Sequence, residues 1–122
     1  MPRVLVGLGA VLGFFGVAAG AFGAHALRAK LPEERLANFR TGAEYQLWHA
    51  LATIGAGVVA TRWSTDWAVA AGLCFVAGVV LFSGSLYALA LTGKRTWGAV
   101  TPIGGLAFLA GWALLVVAAV VA

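Results

Sequence analysis

The sequence predicts an all-α fold, an integral membrane four-helix bundle with an interfacial helical segment between the first two spans. Of its 122 residues, 62% are hydrophobic and only 10% are charged, whereas soluble domains carry about 25% charged residues. Uncharged runs reach the length of about 20 residues that a helix needs to cross a bilayer. A chain of this size normally forms one domain, so we predict a single membrane domain over residues 1–122.

The first predicted span covers residues 4–24, which carry no charge. At about 1.5 Å per residue, a helix of this length covers about 31 Å, close to the thickness of the hydrocarbon core. Arg3 before the run and Ala24-His25-Ala26 after it resemble a secretory signal peptide. Because the run is longer than a typical signal core, we predict a retained N-terminal span rather than a cleaved signal peptide.

Glycine recurs along the first span at steps of four, three, four and three residues. Such steps place all members on one stripe of a helix. The stripe consists of Gly9, Gly13, Gly16, Gly20 and Gly23. Small residues at this spacing let a neighbouring backbone approach closely, so we predict that this face packs against another helix.

A long polar connection follows in residues 25–41. The segment Leu31-Pro32-Glu33-Glu34 has the features of a helix start, because proline suits the first turn and acids favour the positive end of the helix dipole. Leu36, Phe39 and Ala43 then form an apolar stripe at steps of three and four residues. The pattern predicts a helix that either lies at the membrane interface or runs on into the second span.

The second predicted span, residues 42–60, carries one stripe of small and polar residues. Its members are Gly42, Gln46, His49, Thr53 and Gly57. Polar groups within a membrane span face the bundle interior or a water-filled cavity, so this stripe is predicted to be buried. Glu44 lies off the stripe, near the polar boundary, where a charge is tolerated.

The third predicted span covers residues 67–91, and its second half carries Ser83, Ser85 and Tyr87. The fourth covers residues 102–122, and Thr101 is predicted as its N-cap, followed by a proline in the first helical position. Trp112 lies too deep in this span for an interfacial belt. We therefore predict that it packs against a glycine-lined neighbour.

The basic residues at the span ends predict localisation and topology. The net charge is +4, and six Lys/Arg lie in the first and third loops against two on the other side. The positive-inside rule then places both termini outside the cytoplasm. We predict a multi-pass protein of the inner (plasma) membrane. Its predicted partners are membrane lipid and either further copies of the chain or a larger membrane complex, and not nucleic acid, because no basic face on a soluble domain is present.

The candidate site is a polar cluster within otherwise apolar spans. It comprises His25, Glu44, Tyr45, Gln46, His49, Thr53, Ser83, Ser85 and Tyr87. Because consecutive spans are antiparallel, His25 at the end of the first and His49 in the second are expected near the same membrane side.

Four uses of the two histidines are open. They hydrogen-bond neighbouring helices, they form a proton or solute path with Glu44, they ligate haem, or they hold a metal with Glu44. We predict the first use, with no bound cofactor and no metal.

The sequence contains no recognisable catalytic machinery. Ser83 and Ser85 flank a glycine, which is typical of close helix packing in membranes. Gly104-Gly105 lacks the preceding strand and the following lysine of a phosphate loop. Cys74 is the only cysteine, so no Cys-based metal site forms within the chain. We expect the protein not to be an enzyme.

Three blocks carry a resemblance to a known family. They are GAFGAH at residues 20–25, TGAEYQ at 41–46 with HAL at 49–51, and LFSGSLY at 81–87 with TPIGG at 101–105 and GW at 111–112. In order and spacing the chain resembles the small bacterial inner-membrane proteins classed as domain of unknown function 423, whose animal relatives are called transmembrane protein 256. The resemblance implies a four-helix integral membrane protein and no particular activity.

We therefore predict a structural, accessory or interaction protein of the membrane, sealed by glycine-rich packing. One alternative is a small permease or an ion- or proton-coupled transporter that uses Glu44 and the histidines. A more remote alternative is a haem-binding membrane protein.

Overall fold

Four helices make up most of the structure, a computed structural model that describes residues 1–122. Helix α1 spans Pro2–Leu27 and helix α3 spans Asp66–Thr92. Helix α2 spans Glu33–Arg62, and helix α4 spans Thr101–Val121 after a short 3₁₀ helix, Arg95–Ala99. By length and composition, three helices are apolar enough to cross a membrane: α1, α3, and α4 together with its 3₁₀ turn.

The helices pack in chain order, and α2 and α3 lie at the centre. α1 packs on α2, α2 on α3, and α3 on α4, while α1 also touches α3. The main hydrophobic cluster joins the three later helices and consists of Ala56, Ala71, Phe75, Val79 and Phe108. α2 therefore packs directly between α1 and α3 and meets α4 only through side chains, which suits its polar stripe.

The glycine stripe of α1 faces α2, as the spacing predicted. A Cβ atom on Gly9 would meet Ile54 and the Ala50 carbonyl, and one on Gly16 would meet Leu47. The remaining three glycines of the stripe also point at α2 residues, at Ala50, Ala43 and Phe39. The prediction of a close packing face on α1 is confirmed.

Residues 33–41 are the first turns of α2 and not a separate interfacial segment. The predicted start is confirmed, because the helix begins at Glu33 with Pro32 as its N-cap. Of the two alternatives for this segment, the helix that runs on into the second span is the one found, so the segment is not a helix of its own. No glycine or proline interrupts the backbone before Gly42, and Leu36 and Phe39 are buried among residues of α1 and α3, so packing holds this part in line with the rest.

Helices α1 and α3 each contain one π-type turn, at Ala18–Gly23 and Val79–Ser83. The turn in α3 ends at Ser83, two residues before Ser85. Side chains at positions i and i+2 of a helix point about 200° from each other, so Ser83 and Ser85 face different neighbours. Both are buried because α3 lies between α2 and α4. π turns are frequent at functional sites.

The loops are short and their ends are capped. Thr65 caps α3 by accepting a hydrogen bond from the backbone N–H of Trp67 at 3.2 Å. Gly93 ends α3 in the left-handed region, at φ 71°, as helix C-termini commonly do. The prediction that Thr101 caps α4 is wrong, since Val100 is the N-cap and the Thr101 hydroxyl is bonded to Ser85 instead.

Candidate functional site

Helix α2 carries the centre of the site on its buried face. Gln46, His49 and Thr53 are all buried, with relative exposures of 5%, 4% and 0%. They follow steps of three and four residues, which keep them on one side of the helix. We call the hydrogen bonds around these three residues the polar seam.

His49 is hydrogen-bonded at both ring nitrogens. Nδ1 lies 2.8 Å from the backbone oxygen of Tyr45, and Nε2 lies 3.0 Å from the indole nitrogen of Trp112. A carbonyl oxygen only accepts and an indole N–H only donates. His49 is therefore neutral, with its proton on Nδ1, and it links α2 to α4.

Aromatic rings enclose the imidazole of His49. The ring of Phe108 stacks on it with a centroid separation of 3.6 Å and an interplanar angle of 10°. Phe75 lies 5.6 Å from it, and Tyr45 is stacked at 6.1 Å. These rings cover most of the imidazole, which is 4% exposed, and leave Trp112 as its partner across the helices.

Gln46 joins helices α1 and α3. Its amide nitrogen donates to the backbone oxygen of Leu12 at 2.8 Å. Its amide oxygen accepts a hydrogen bond from the Tyr87 hydroxyl at 2.6 Å. The carboxamide of Gln46 therefore bonds to one helix through its N–H and to another through its oxygen. The ring of Tyr87 also packs against Phe39, with ring centroids 5.0 Å apart.

The hydroxyl groups of the site serve helix packing. Ser83 donates to the backbone oxygen of Gly42 at 2.6 Å, which ties α3 to α2. Ser85 donates to the carbonyl of Phe82 at 2.9 Å and lies 2.6 Å from the Thr101 hydroxyl, which ties α3 to α4. Thr53 donates within α2, to the His49 carbonyl at 2.6 Å. No buried side-chain nitrogen or oxygen lacks a hydrogen-bond partner.

Two members of the predicted cluster are exposed and lie apart from the buried ones. His25 is exposed, because it follows Gly23 by two residues and so points about 200° away from the face that meets α2. Glu44 is also exposed, on the outer face of α2, as its position off the polar stripe predicted. The expectation that His25 joins His49 is wrong.

The separation of His25 and Glu44 from His49 affects the chemistry that the site supports. No three His, Cys, Asp or Glu side chains lie close enough together to hold a metal ion. Ligation of one haem by both histidines would require His25 and His49 to face each other, whereas one is exposed and the other is enclosed. A proton path from Glu44 to His49 would have to cross the apolar rings around the imidazole.

A large groove runs along the outer side of the site, between α2 and α4. Its volume is about 760 Å³. The groove is open, and its walls are mostly apolar and aromatic. The walls include Tyr45, Trp48, His49, Phe108 and Trp112. The groove therefore borders the polar seam through His49 and Trp112.

The sequence interpretation missed two functional contacts. Trp112 is a partner of His49 and not of a glycine-lined neighbour, and Arg35 donates from α2 to the backbone oxygen of Ala90 in α3 at 2.7 Å. The sequence did hold a signal for the contact between Trp112 and His49. An indole N–H deep in a membrane span usually finds an acceptor, and His49 is a polar residue of the same central region.

These features define an all-helical membrane protein with long apolar helices and a buried polar seam between them. The chain belongs to the family described as "Protein of unknown function (DUF423)", whose model matches residues 19–105. The family resemblance drawn from the sequence blocks is thereby confirmed.

Named relatives cover nearly the whole chain. The chain is 45% identical over 118 residues to "UPF0382 inner membrane protein YgdD" of Escherichia coli (strain K12), covering 97% of this chain and 90% of that protein. It is 44% identical over 119 residues to "UPF0382 membrane protein YwdK" of Bacillus subtilis (strain 168), covering 97% of both. It is 44% identical over 117 residues to "UPF0382 membrane protein SH2409" of Staphylococcus haemolyticus, covering 94% and 93%. No solved structure matches the chain.

Proposed function

We propose that the protein crosses the inner membrane four times and acts there as a structural or accessory protein rather than as an enzyme. The observation that carries this proposal is the polar seam itself. Gln46, His49 and Ser83 each bond to a neighbouring helix, and no buried polar side-chain atom is left without a partner. Polar groups engaged in this way stabilise the bundle and present no free group to a substrate.

The fourth crossing is helix α2. It is 30 residues long, and at about 1.5 Å per residue it covers about 45 Å, more than the hydrocarbon core requires. Its polar residues face inward, while Leu51 and Val58 are exposed on its outer side, at 70% and 56%. The charged residues of α2 all lie within residues 33–44 or at Arg62, so residues 45–61 are uncharged, and the polar Gln46 and His49 among them are shielded from lipid by the other helices.

The relatives and the charges support a location and an orientation for the protein. The Escherichia coli relative is named an inner membrane protein, which supports a multi-pass position in the same membrane for this chain. The excess of Lys/Arg in the first and third loops supports termini outside the cytoplasm. The partners that fit such a bundle are membrane lipid and either further copies of the chain or a larger membrane complex.

The transporter alternative has weaker support from the geometry. Coupling groups in transporters lie within the bundle or in a water-filled cavity, whereas Glu44 and His25 are exposed and His49 is enclosed by rings. No series of titratable side chains connects Glu44, His25 and His49.

The proposal is tested by the melting temperature of purified protein in detergent. We expect His49→Leu and Gln46→Leu to lower it, because each removes side-chain hydrogen bonds to neighbouring helices, at about 0.6 and up to about 1.7 kcal/mol per bond. His25→Leu is the matched control and should leave it unchanged. Equal melting temperatures for all three variants and the wild type would overturn the structural role, and mass spectrometry of co-purified material would then look for a substrate.

A further inference from the structure

No segment of the chain fills the groove between α2 and α4. The two helices do not pack backbone to backbone, and side chains such as Trp112, His49 and Phe108 bridge the gap between them. The remaining space, about 760 Å³, opens outward. Where both helices cross a bilayer, this opening faces the hydrocarbon region.

The chemistry of the walls restricts the occupant. Leu51, Leu106 and Leu109 line the groove, and both nitrogens of His49 are already bonded. Two other lining residues, Tyr45 and Trp48, carry a hydroxyl and an indole N–H that donate no hydrogen bond within the chain. They lie less than one turn apart on α2. The groove therefore suits a hydrocarbon chain with one hydrogen-bond acceptor at its Tyr45 end.

The Tyr45 end of the groove is also the polar end of the bundle. Pro102, in the first turn of α4, lines it, so it lies near the membrane boundary. Arg40 and Glu44 are exposed on the preceding turns of α2. The two loops on this side, together with the first turns of α2, carry six Lys/Arg, against the three acids Glu33, Glu34 and Glu44. This excess of positive charge is complementary to an anionic headgroup.

We propose that the groove binds one acyl chain of an anionic glycerophospholipid. The acyl chain lies along Leu106 and Leu109, an ester carbonyl accepts hydrogen bonds from Tyr45 and Trp48, and the phosphate lies at the membrane boundary where Arg40 adds to the positive charge. This inference rests on the proposed function in one respect, since α2 and α4 must both cross the membrane.

Native mass spectrometry of the full chain in detergent tests the site, with equal amounts of phosphatidylglycerol and phosphatidylcholine as probes. Gly105→Phe fills the groove, because Gly105 lines it and a Cβ there approaches nothing closer than Phe82 at 4.0 Å. Gly55→Phe is the matched control on the exposed face of α2, where a Cβ meets nothing within 4 Å.

We expect the wild type and Gly55→Phe to retain one phosphatidylglycerol in preference to phosphatidylcholine, and Gly105→Phe to lose it. Tyr45→Phe should lower retention about fivefold, the equivalent of one ordinary hydrogen bond. Arg40→Gln should lower the preference for phosphatidylglycerol about fivefold, the equivalent of one basic residue at an anionic surface.

Equal lipid retention by Gly105→Phe and Gly55→Phe would overturn the proposal. So would a wild-type dimer that Gly105→Phe converts to a lipid-free monomer, because a second copy would then occupy the groove. Melting temperatures of the same samples separate the two proposals: Gly105→Phe should keep the wild-type value, whereas the seam variants His49→Leu and Gln46→Leu should lower it.

Discussion

The indole N–H of Trp112 donates to Nε2 of His49 at 3.0 Å, in the one side-chain hydrogen bond that joins α2 to α4. Because the other ring nitrogen faces the Tyr45 carbonyl, this contact requires the Nδ1–H tautomer. Both residues lie well inside the predicted spans, where water is absent and an unpaired polar group is costly. The contact therefore sets the rotation of α4 about its axis relative to α2.

Trp112→Phe should lower the melting temperature in detergent and change the state of His49. The substitution keeps an aromatic ring against Phe75 but removes the donor, and an interhelical bond of this kind contributes about 0.6 and up to about 1.7 kcal/mol. Nitrogen chemical shifts of the His49 ring should move away from the pattern of a pure Nδ1–H tautomer.

The control for this variant is Trp97→Phe. Trp97 is 41% exposed, close to the 46% of Trp112, and its side chain makes no hydrogen bond. The same shift of melting temperature in both variants would show that the loss comes from ring size and not from the hydrogen bond.

Gln46 and Tyr87 should show coupled effects on stability. Gln46→Leu and Tyr87→Phe each break their mutual bond of 2.6 Å, so the double variant should be less destabilised than the sum of the singles. We expect a coupling free energy of about 0.6 kcal/mol, up to about 1.7. A double-mutant cycle from chemical unfolding measures it, and strict additivity would mean that the bond contributes nothing.

Residue spacing was sufficient to predict which faces of the helices are buried. The glycines of α1 and the stripe from Gly42 to Gly57 in α2 repeat at three and four residues, and the α-helix turns this spacing into a face through local geometry alone. That is why the burial of Gly16 follows from a pattern within one segment. The exposure of Glu44, off the polar stripe of α2, follows from the same geometry.

The partners across helices could not be predicted in this way. The bond between Trp112 and His49 depends on how far α4 slides along α2, and no pattern within either segment encodes that offset. The wrong placement of His25 has a different cause. Its angle from Gly23 follows from the glycine stripe, so the sequence pattern already placed His25 away from α2. The π turns at Ala18–Gly23 and Val79–Ser83 shift the helix phase locally, which spacing rules for an ideal helix do not include.

Adjacent glycines in α4 should respond oppositely to alanine. A Cβ on Gly104 would fall on the backbone of Phe82, whereas one on Gly105 would come no closer than 4.0 Å to the Phe82 ring. Gly104→Ala should destabilise the protein by about 1–3 kcal/mol, the usual cost of overpacking. Gly105→Ala should be neutral or stabilising by up to about 1 kcal/mol, because alanine favours the helix.

Unfolding free energies of the two glycine variants in one detergent provide the comparison. Both substitutions add the same methyl group to the same helix, so each serves as the control for the other. A stable Gly104→Ala variant would contradict the close approach of α4 to α3 at Phe82.

Arg35 should stabilise the C-terminal turn of α3. Its Nε donates to the backbone oxygen of Ala90 at 2.7 Å, while the amide of Lys94, four residues further on, bonds to the Thr92 hydroxyl instead. Ala90 is fully buried, so its carbonyl depends on the arginine. Arg35→Leu should cost about 1.5–3 kcal/mol, as for a hydrogen bond to a charged group, and the positive charge also suits the helix C-terminus.

Hydrogen exchange shows whether this cost is local to that turn. The amide of Gly93, which bonds to the Leu89 carbonyl at 2.8 Å, should exchange faster in Arg35→Leu, while amides near Phe75 keep their protection. Arg40→Leu is the matched control, because Arg40 lies on the same helix, is exposed and makes no hydrogen bond. Unchanged exchange at Gly93 in Arg35→Leu would mean that water replaces the guanidinium at the Ala90 carbonyl, and the arginine would then have no structural role at this end of the bundle.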